Sequence, residues 1–233
     1  MIELGRRDGR LLRIGHRGAA ALAPENSLEA IALAVELGCD LVEFDVHTVG
    51  GSLVVAHDRP GAADGLPSLD DVLGFLGSSG AGVQLDLKSP GAEVAVAEAL
   101  RRHGLVQRTV VSSFRRTTLR ALSAVEPELR LGRTYPQDRS GLTKRRAFHP
   151  PARAIVRGLR RMLPRRIGTL LAGSRATAAV LYWEVVSEAT VRRCHALSAP
   201  VLVWTVDDAE LLPWLDRVGV DAVITNDPRI FAG

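Results

Sequence analysis

Short apolar runs rich in β-branched residues alternate along the chain with stretches of helical periodicity. The apolar runs predict eight strands, at residues 11–15, 41–47, 83–88, 109–113, 129–134, 180–183, 201–206 and 222–225. Helical patterns lie between most of them, at residues 27–37, 69–76, 93–103, 117–125, 188–197 and 209–218. This alternation is typical of a parallel sheet. Eight strands within 233 residues favour an α/β fold of the closed (β/α)8 TIM type.

An open doubly wound sheet is the alternative architecture. No Gly-x-Gly-x-x-Gly follows the first strand, which disfavours a dinucleotide-binding fold of that kind. We therefore predict one barrel domain over residues 1–233.

Local signals refine this pattern. The stretch GGSLVVAHD after the second strand has the pattern of a β-hairpin that returns and ends at His57. Asn26 is predicted to be the N-cap of helix 27–37, and Ser68 and Asp71 form a capping-box pattern ahead of the next helix.

The composition agrees with a packed domain, since 46% of the residues are hydrophobic and 24% are charged. Neither of the two cysteines, Cys39 and Cys194, has metal-ligand spacing, so we expect buried thiols and no disulfide framework. The first residues lack the apolar stretch of a signal peptide, and no window reaches about 18 apolar residues. A cytoplasmic location is the resulting prediction.

The net charge of +4 is unevenly distributed. Residues 137–175 hold 11 of the 30 Lys and Arg residues but one acid, Asp138, so this basic insert carries +10 and the rest of the chain −6. Within it, residues 152–171 have a helical pattern with two predicted faces. The apolar face comprises Ile155, Leu159, Met162 and Leu163, and most of the arginines lie opposite. Pro164 is expected to kink or end this helix.

Three interpretations of the basic insert remain open. The helix could cover the barrel with solvated arginines, or it could lie on the inner face of an anionic membrane through residues 152–171. Nucleic-acid binding is the least favoured, because no aromatic stacking platform accompanies the charge, and we predict no nucleic-acid partner.

Candidate chemistry collects at the carboxyl ends of the predicted strands, where barrel enzymes hold their active sites. Glu43 and Asp45 are two residues apart on one strand and therefore point to the same face, and Asp86 and Lys88 repeat this on the next barrel strand. Three inward-facing acids beside one lysine require a further cation. Because all three donate oxygen, the expected ion is hard, Mg²⁺ or Ca²⁺. Salt bridges at the barrel rim are the alternative.

Two histidines follow strand ends. His16 precedes Arg17, and His57 precedes Asp58. Such a pair suits displacement at phosphorus, with one imidazole activating the nucleophile and the other protonating the leaving oxygen. Arg17 offers a planar fork for phosphate oxygens and Lys88 a point charge.

Six stretches resemble, in order and spacing, the glycerophosphodiester phosphodiesterase family. They are GHRGAAALAPENSLEAI, LVEFDVHTVGGSLVVAHD, VQLDLK, VVSSF, VLVWTVDD and VDAVITNDP. The resemblance implies a TIM-type barrel with one divalent metal ion that hydrolyses glycerophosphodiesters to sn-glycerol 3-phosphate and an alcohol.

The resemblance also implies a role for each matching residue. Glu43, Asp45 and Asp86 would be metal ligands, His16 and His57 the acid–base pair, and Arg17 and Lys88 the phosphate clamp. Glu25 and Asn26 would orient His16 and line the metal, and Trp204 would be an apolar wall against glycerol.

The chain also departs from the family pattern. Asp86 stands where the family usually has Glu, and Gly50 replaces an acid at a turn. Only 28 residues separate His57 from Asp86, so the insertion that helps to form a lid in the family is much reduced here. A more open cleft is therefore expected.

If the helix of the basic insert binds lipid, the open cleft makes a lysophospholipase D, acting on lysophospholipids at the membrane, the alternative function. A barrel that binds phosphate esters without turnover is disfavoured, because each family position for catalysis holds a competent residue. The sequence leaves open whether the ion is Mg²⁺ or Ca²⁺. It also leaves open whether water or the substrate's own hydroxyl attacks phosphorus.

Overall fold

A computed structural model describes residues 2–137 and 150–232, with side chains from residue 153 onward in the second range. The described strands are β1 (Leu12–Gly15), β2 (Leu41–Val49), β3 (Ser52–Val55), β4 (Gly82–Leu87), β5 (Thr109–Ser113), β6 (Arg130–Tyr135), β7 (Ala178–Tyr182), β8 (Val201–Trp204) and β9 (Ala222–Thr225). Every strand pairing is parallel except that of β3 with β2, and β1 pairs with both β2 and β9. The sheet therefore closes into an eight-stranded parallel barrel, as predicted.

Helices surround this barrel. They are α1 (Leu28–Glu36), α2 (Leu69–Ser78), α3 (Glu93–Arg102), α4 (Arg116–Val125), α5 (Pro150–Ser174), α6 (Glu188–His195) and α7 (Leu212–Val218). The predicted capping box is present at α2, where Ser68 and Asp71 exchange hydrogen bonds.

The predicted cap of α1 is wrong by one residue. Ser27 is the N-cap, and its hydroxyl oxygen accepts the backbone N–H of Ala30. Asn26 has a left-handed φ of +61°, and its side-chain amide bonds Asp45 instead. The sequence pattern alone does not distinguish these two adjacent capping residues.

The hairpin after β2 turns through Gly50 and Gly51, whose φ values are +56° and +87°. Two consecutive left-handed residues match a type I′ turn, which favours glycine at both positions. Pairing of Val49 with Ser52 directly flanks this turn. Beyond β3, residues 56–81, which include α2, connect the hairpin to β4, so the connection is short, as the spacing predicts.

Apolar side chains fill the lower barrel, below the carboxyl edge. Buried members of this cluster are Leu4, Leu12, Ile14, Leu41, Val110, Ala178, Val180, Leu202, Ala222 and Ile224. Both cysteines are free and buried, and burial raises the pKa of Cys39 and of Cys194 to about 12. Both thiols are buried, as predicted.

A helix end at Pro164, one of the two predicted effects of this proline, is not observed in α5. Pro164 lies inside the continuous helix Pro150–Ser174 and does not end it. Leu163 and Ile167 are buried on either side of the proline, so packing against the barrel compensates for the missing backbone donor. Asp138 and the rest of the basic insert before residue 150 lie outside the described residues.

The predicted apolar face of α5 is also wrong in part. The face that packs on the barrel runs through Leu163, Ile167 and Leu171. Ile155 and Met162, each 50% exposed, lie toward solvent. Among the described helices, α5 included, none combines the length and hydrophobicity that a membrane span requires.

A buried carboxylate ties the N-terminal segment to the turn before β2. The side chain of Asp40 is 3% exposed and pairs with Arg7 at 2.9 Å. Arg10 donates to both of its carboxylate oxygens at 2.7 Å, and the backbone N–H of Arg13 donates at 2.9 Å. Burial alone would raise the pKa of Asp40, but the hydrogen bonds from Arg10 and Arg13 outweigh it and lower that pKa.

We expect Asp40→Asn to destabilise the chain by about 1–3 kcal/mol at neutral pH, because it removes a buried charge-assisted network. A carboxyl whose pKa is lowered by folding contributes stability above its unfolded pKa of about 3.9, and this contribution is lost as pH falls through the folded pKa. Urea unfolding at a series of pH values should therefore show the two proteins converging below about pH 4. Asp64→Asn, at an exposed carboxylate, is the matched control and should remain near wild type. A gap that stays constant with pH would contradict this account.

Candidate active site

The carboxyl ends of the barrel strands surround one cavity of about 720 Å³. Eight residues singled out from the sequence line it together: His16, Arg17, Glu43, Asp45, His57, Asp86, Lys88 and Trp204. Parallel strands bring seven of these residues to the same edge and the antiparallel β3 leads to His57, although up to 188 positions separate the eight in the chain.

A tight glycine turn presents the first two of these residues. Gly18 has a φ of +80°, and a Cβ there would lie 2.4 Å from the carbonyl carbon of Ala30 in α1. A Cβ on Gly15 would lie 2.7 Å from the carbonyl oxygen of Gly18. Arg17 itself adopts a left-handed φ of +53°. Glycine at both ends thus lets the chain reverse sharply against α1, so that His16 and Arg17 reach the cavity.

The three acids come from two neighbouring strands. Asp45 on β2 is directly opposite Asp86 on β4, and Glu43 is opposite Gln84 two pairs lower. All three carboxylates are buried, and one oxygen of each lies within 4.8 Å of the others. Ser112 on β5 donates to Asp86 at 2.9 Å and fixes one oxygen of that carboxylate. The acids therefore form a compact cluster of oxygen ligands, as a cation site requires.

Two basic side chains approach this cluster. The Lys88 ammonium lies 2.8 Å from Asp45 and also pairs with Asp86. Burial would lower the pKa of Lys88, but the charges of Asp86, Asp45 and Glu43 outweigh burial and raise it. The Nε atom of Arg17 lies 3.1 Å from Asp45, and its backbone N–H donates to Glu43 at 2.9 Å.

The cluster still carries more negative charge than its partners balance. Burial, and then the nearby charge of Asp45, raise the pKa of Glu43 well above its usual value despite Lys88. Gln84 Oε1 and Thr134 Oγ1, in two side chains that line the same cavity, are buried without hydrogen-bond partners among the described residues. Surplus negative charge and unsatisfied oxygens both fit a cavity that holds a polar, cationic group.

The orientation of His16 is determined by two residues that the sequence analysis missed. Asn226 Nδ2 donates to Asp207 at 2.7 Å, and this carboxylate can only accept. Asn226 Oδ1 therefore faces His16 Nδ1, 2.6 Å away, and accepts its N–H. The lone pair of a neutral His16 is consequently on Nε2, which lies 3.9 Å from Glu43. Burial, and then the charge of Arg17, lower the pKa of His16 to about 4.

His57 follows the returning hairpin strand. Its Nδ1 lies 3.7 Å from a carboxylate oxygen of Glu25 and 3.7 Å from one of Asp58. His47 Nε2–H donates to the backbone carbonyl of His57 at 3.2 Å and so helps to hold this segment. Burial, and then the charge of Arg17, lower the pKa of His57.

Glu25 and Asn26 have partners other than the predicted one. Glu25 pairs with the Arg17 guanidinium. Asn26 exchanges two hydrogen bonds with Asp45, at 3.1 Å and 3.2 Å. Glu25 thus positions Arg17 and Asn26 positions Asp45, whereas Asn226 orients His16.

The opposite side of the cavity is aromatic. Trp204 makes an edge contact with Phe114 at 6.1 Å between ring centroids and a tilted contact with Tyr182 at 5.4 Å. The Lys88 ammonium lies 5.6 Å from the Phe114 ring centroid. Phe114 and Tyr182 were not singled out from the sequence, although both stand at strand ends like the residues that were.

Comparison with known proteins shows which family this chain resembles. The sequence model of the glycerophosphoryl diester phosphodiesterase family matches residues 16–74 and 86–230. The glycerophosphodiester phosphodiesterase of Caldanaerobacter subterraneus subsp. tengcongensis is 26% identical over 255 residues, which cover 94% of this chain and 95% of that protein.

Solved structures share the fold. An Oleispira antarctica phosphodiesterase in complex with the product sn-glycerol-3-phosphate has a TM-score of 0.73 and 23% identity, covering 94% of this chain and 95% of that one. A glycerophosphodiester phosphodiesterase from Agrobacterium tumefaciens has a TM-score of 0.73 and 22% identity, covering 96% and 99%. These likenesses agree with the barrel observed here.

The resemblance noted in the sequence is thereby confirmed. The family match includes both histidines, all three acids and the residues of the aromatic side. The chain belongs to the glycerophosphoryl diester phosphodiesterase family.

Proposed function

We propose that this chain, acting as one barrel domain, hydrolyses glycerophosphodiesters to sn-glycerol 3-phosphate and an alcohol. The observation that carries the proposal is the convergence of two imidazoles, two basic side chains and three carboxylates on one cavity in a member of this family. The product complex of the Oleispira antarctica relative supports sn-glycerol 3-phosphate as the product.

Glu43, Asp45 and Asp86 would hold one divalent ion, Mg²⁺ or Ca²⁺. Their buried oxygens within 4.8 Å of one another are the ligands that such hard ions prefer. Burial, and then the charge of Asp45, raise the pKa of Glu43, and a cation at this position would offset both effects. When bound, the ion supplies a Lewis acid that draws charge from a phosphoryl oxygen.

His16 and His57 act as the acid–base pair. Hydrolysis breaks the bond between phosphorus and the leaving alkoxide oxygen, and the entering oxygen forms a new bond to phosphorus. One imidazole accepts the proton of the entering hydroxyl, and the other donates a proton to the leaving oxygen. Asn226 keeps Nε2 of His16 toward the cavity, where a proton can be exchanged with substrate.

Arg17 and Lys88 bind the phosphate. Both line the cavity and remain partly accessible, with 17% and 23% of their side chains exposed. The raised pKa of Lys88 keeps its ammonium charged at neutral pH. Trp204 and its aromatic neighbours offer an apolar surface to the rest of the substrate.

A second candidate, lysophospholipase D activity, is favoured by the aromatic side of the same cavity. Phe114, Tyr182 and Trp204 form an apolar wall beside the polar groups, and about 720 Å³ exceeds what the phosphate and glycerol alone would need. The short connection between β3 and β4 provides little additional cover.

One assay tests both candidates. The purified chain, with Mg²⁺ or Ca²⁺, should release choline and sn-glycerol 3-phosphate from glycerophosphocholine, and coupled enzyme assays measure both products. Lysophosphatidylcholine is compared at equal concentration. A much higher kcat/KM for the acylated substrate would favour lysophospholipase D. Release of phosphocholine instead of choline, or no turnover with either ion, would contradict the proposed reaction.

A further inference from the structure

From Arg153 to Arg166, the outward part of α5 is basic and also carries exposed apolar side chains. Six arginines and no Asp or Glu occur in the 25 residues of this helix. We propose that this face docks on the surface of an anionic lipid bilayer. The proposal goes beyond the proposed reaction, since docking does not require turnover.

The charge of this face complements an anionic surface. Arg157, Arg161 and Arg165 are exposed and follow one another at four-residue spacing, so they form a row along the helix. Arg166 is also exposed, one residue beyond the end of this row. No acid on the helix offsets them. A row of bases on an amphipathic helix attracts anionic headgroups.

Two large apolar side chains are exposed on the same helix, and one of them, Met162, is bordered by arginines. Ile155 and Met162 are each 50% exposed and are seven residues apart, so they share one face of the helix. Arg165 and Arg166 are three and four residues after Met162 and therefore flank it. The face that packs on the barrel is a different one, through Leu163, Ile167 and Leu171. Apolar side chains between bases suit the headgroup–acyl boundary, into which they can insert.

The helix extends past the rim that bears the catalytic cavity. Its 25 residues span about 37 Å, whereas the five residues of β7 span about 17 Å. Ser174 is close to the start of β7, so the first turns of α5 reach beyond the carboxyl edge of the barrel. Val156 and Arg160 line a cavity with Trp183, whose ring is 6.1 Å from Tyr182 of the catalytic cavity. Docking through α5 would therefore bring the catalytic opening beside the lipid headgroups.

Vesicle sedimentation tests this docking. The full chain should bind phosphatidylcholine vesicles that contain phosphatidylglycerol and should bind pure phosphatidylcholine vesicles weakly. High salt should reduce binding to the anionic vesicles. The triple variant Arg157→Glu, Arg161→Glu, Arg165→Glu should lower the partition coefficient more than tenfold, because each base contributes about fivefold near such a surface. Ile155→Ser with Met162→Ser should also weaken binding, without changing charge.

The matched control reverses the charge of three exposed arginines on other helices, through Arg102→Glu, Arg120→Glu and Arg217→Glu. The change in net charge is the same as in the triple variant of α5. It should retain most of the binding, and circular dichroism with thermal melts checks that each variant is folded. Equal loss in the control would assign the effect to net charge and overturn the docking face. Two other results would also overturn it: tighter binding of a duplex oligonucleotide than of vesicles, or a concentration-dependent dimer that the α5 variants abolish.

Discussion

His16→Ala and His57→Ala should each lower kcat for glycerophosphocholine by about a hundredfold to ten-thousandfold, the usual contribution of a positioned acid or base. The reason is geometric. His16 presents Nε2 to the cavity because Asn226 holds Nδ1 at 2.6 Å, and alanine leaves no group there to exchange a proton. KM should change less than kcat, because Arg17 and Lys88 still bind the phosphate.

The double variant distinguishes a cooperating pair from two independent contributions. If both imidazoles serve one displacement, removing the second should cost little beyond the first, since groups that act as a unit are not additive. His103→Ala is the matched control. His103 lies at the end of α3 and pairs with Asp70 at 2.9 Å, away from the cavity-lining residues. Activity of His16→Ala within threefold of wild type, in a folded sample, would remove His16 from the reaction.

The barrel and the acidic cluster could be predicted because two simple regularities determine them. Alternation along β2 puts Glu43 and Asp45 on one face of the sheet, and alternation along β4 puts Asp86 and Lys88 on one face. Parallel pairing of those strands then puts Asp45 opposite Asp86. Neither step requires knowledge of side-chain packing.

The partner of His16 could not be read from the sequence because it depends on closure of the barrel. Asn226 is 210 residues from His16, and the pairing of Gly15 with Thr225 across β1 and β9 brings them together. Asn26 shows the converse error. A local helix-cap pattern suggested its role, but the side chain bonds Asp45 across the site.

The packed face of α5 could not be predicted because its apolar residues form two rows. Periodicity identifies both rows but does not say which one contacts the barrel. Leu163 and Ile167 continue to Leu171 and are buried, whereas Ile155 and Met162 are not. Tertiary packing, which the local pattern does not contain, selects between them.

Removing the metal should abolish hydrolysis, and in a variant of Glu43 added metal should not restore it. Chelation with excess EDTA should stop glycerophosphocholine hydrolysis, and Mg²⁺ or Ca²⁺ should restore it in the wild-type chain. Glu43→Gln is the cleanest ligand variant. The amide oxygen of the new side chain in this variant can still accept the backbone N–H of Arg17. Replacing Asp45 instead would disturb its contacts with Lys88 and Asn26. The variant should stay folded but remain inactive with either ion.

Thermal unfolding separates a lost metal ligand from general damage. An ion that binds only the folded chain stabilises it by about 2.7 kcal/mol at about 100 times its Kd, which corresponds to roughly 5–10 °C in Tm for a chain of this size. Wild type should show this rise with Mg²⁺ or Ca²⁺, and Glu43→Gln should lose most of it. Glu126→Gln removes another largely buried carboxylate, which pairs with Arg101 outside the cavity, and should keep the rise. Full activity in excess EDTA, or an undiminished rise in Glu43→Gln, would exclude the acidic cluster Glu43, Asp45 and Asp86 as the site of a catalytic metal ion.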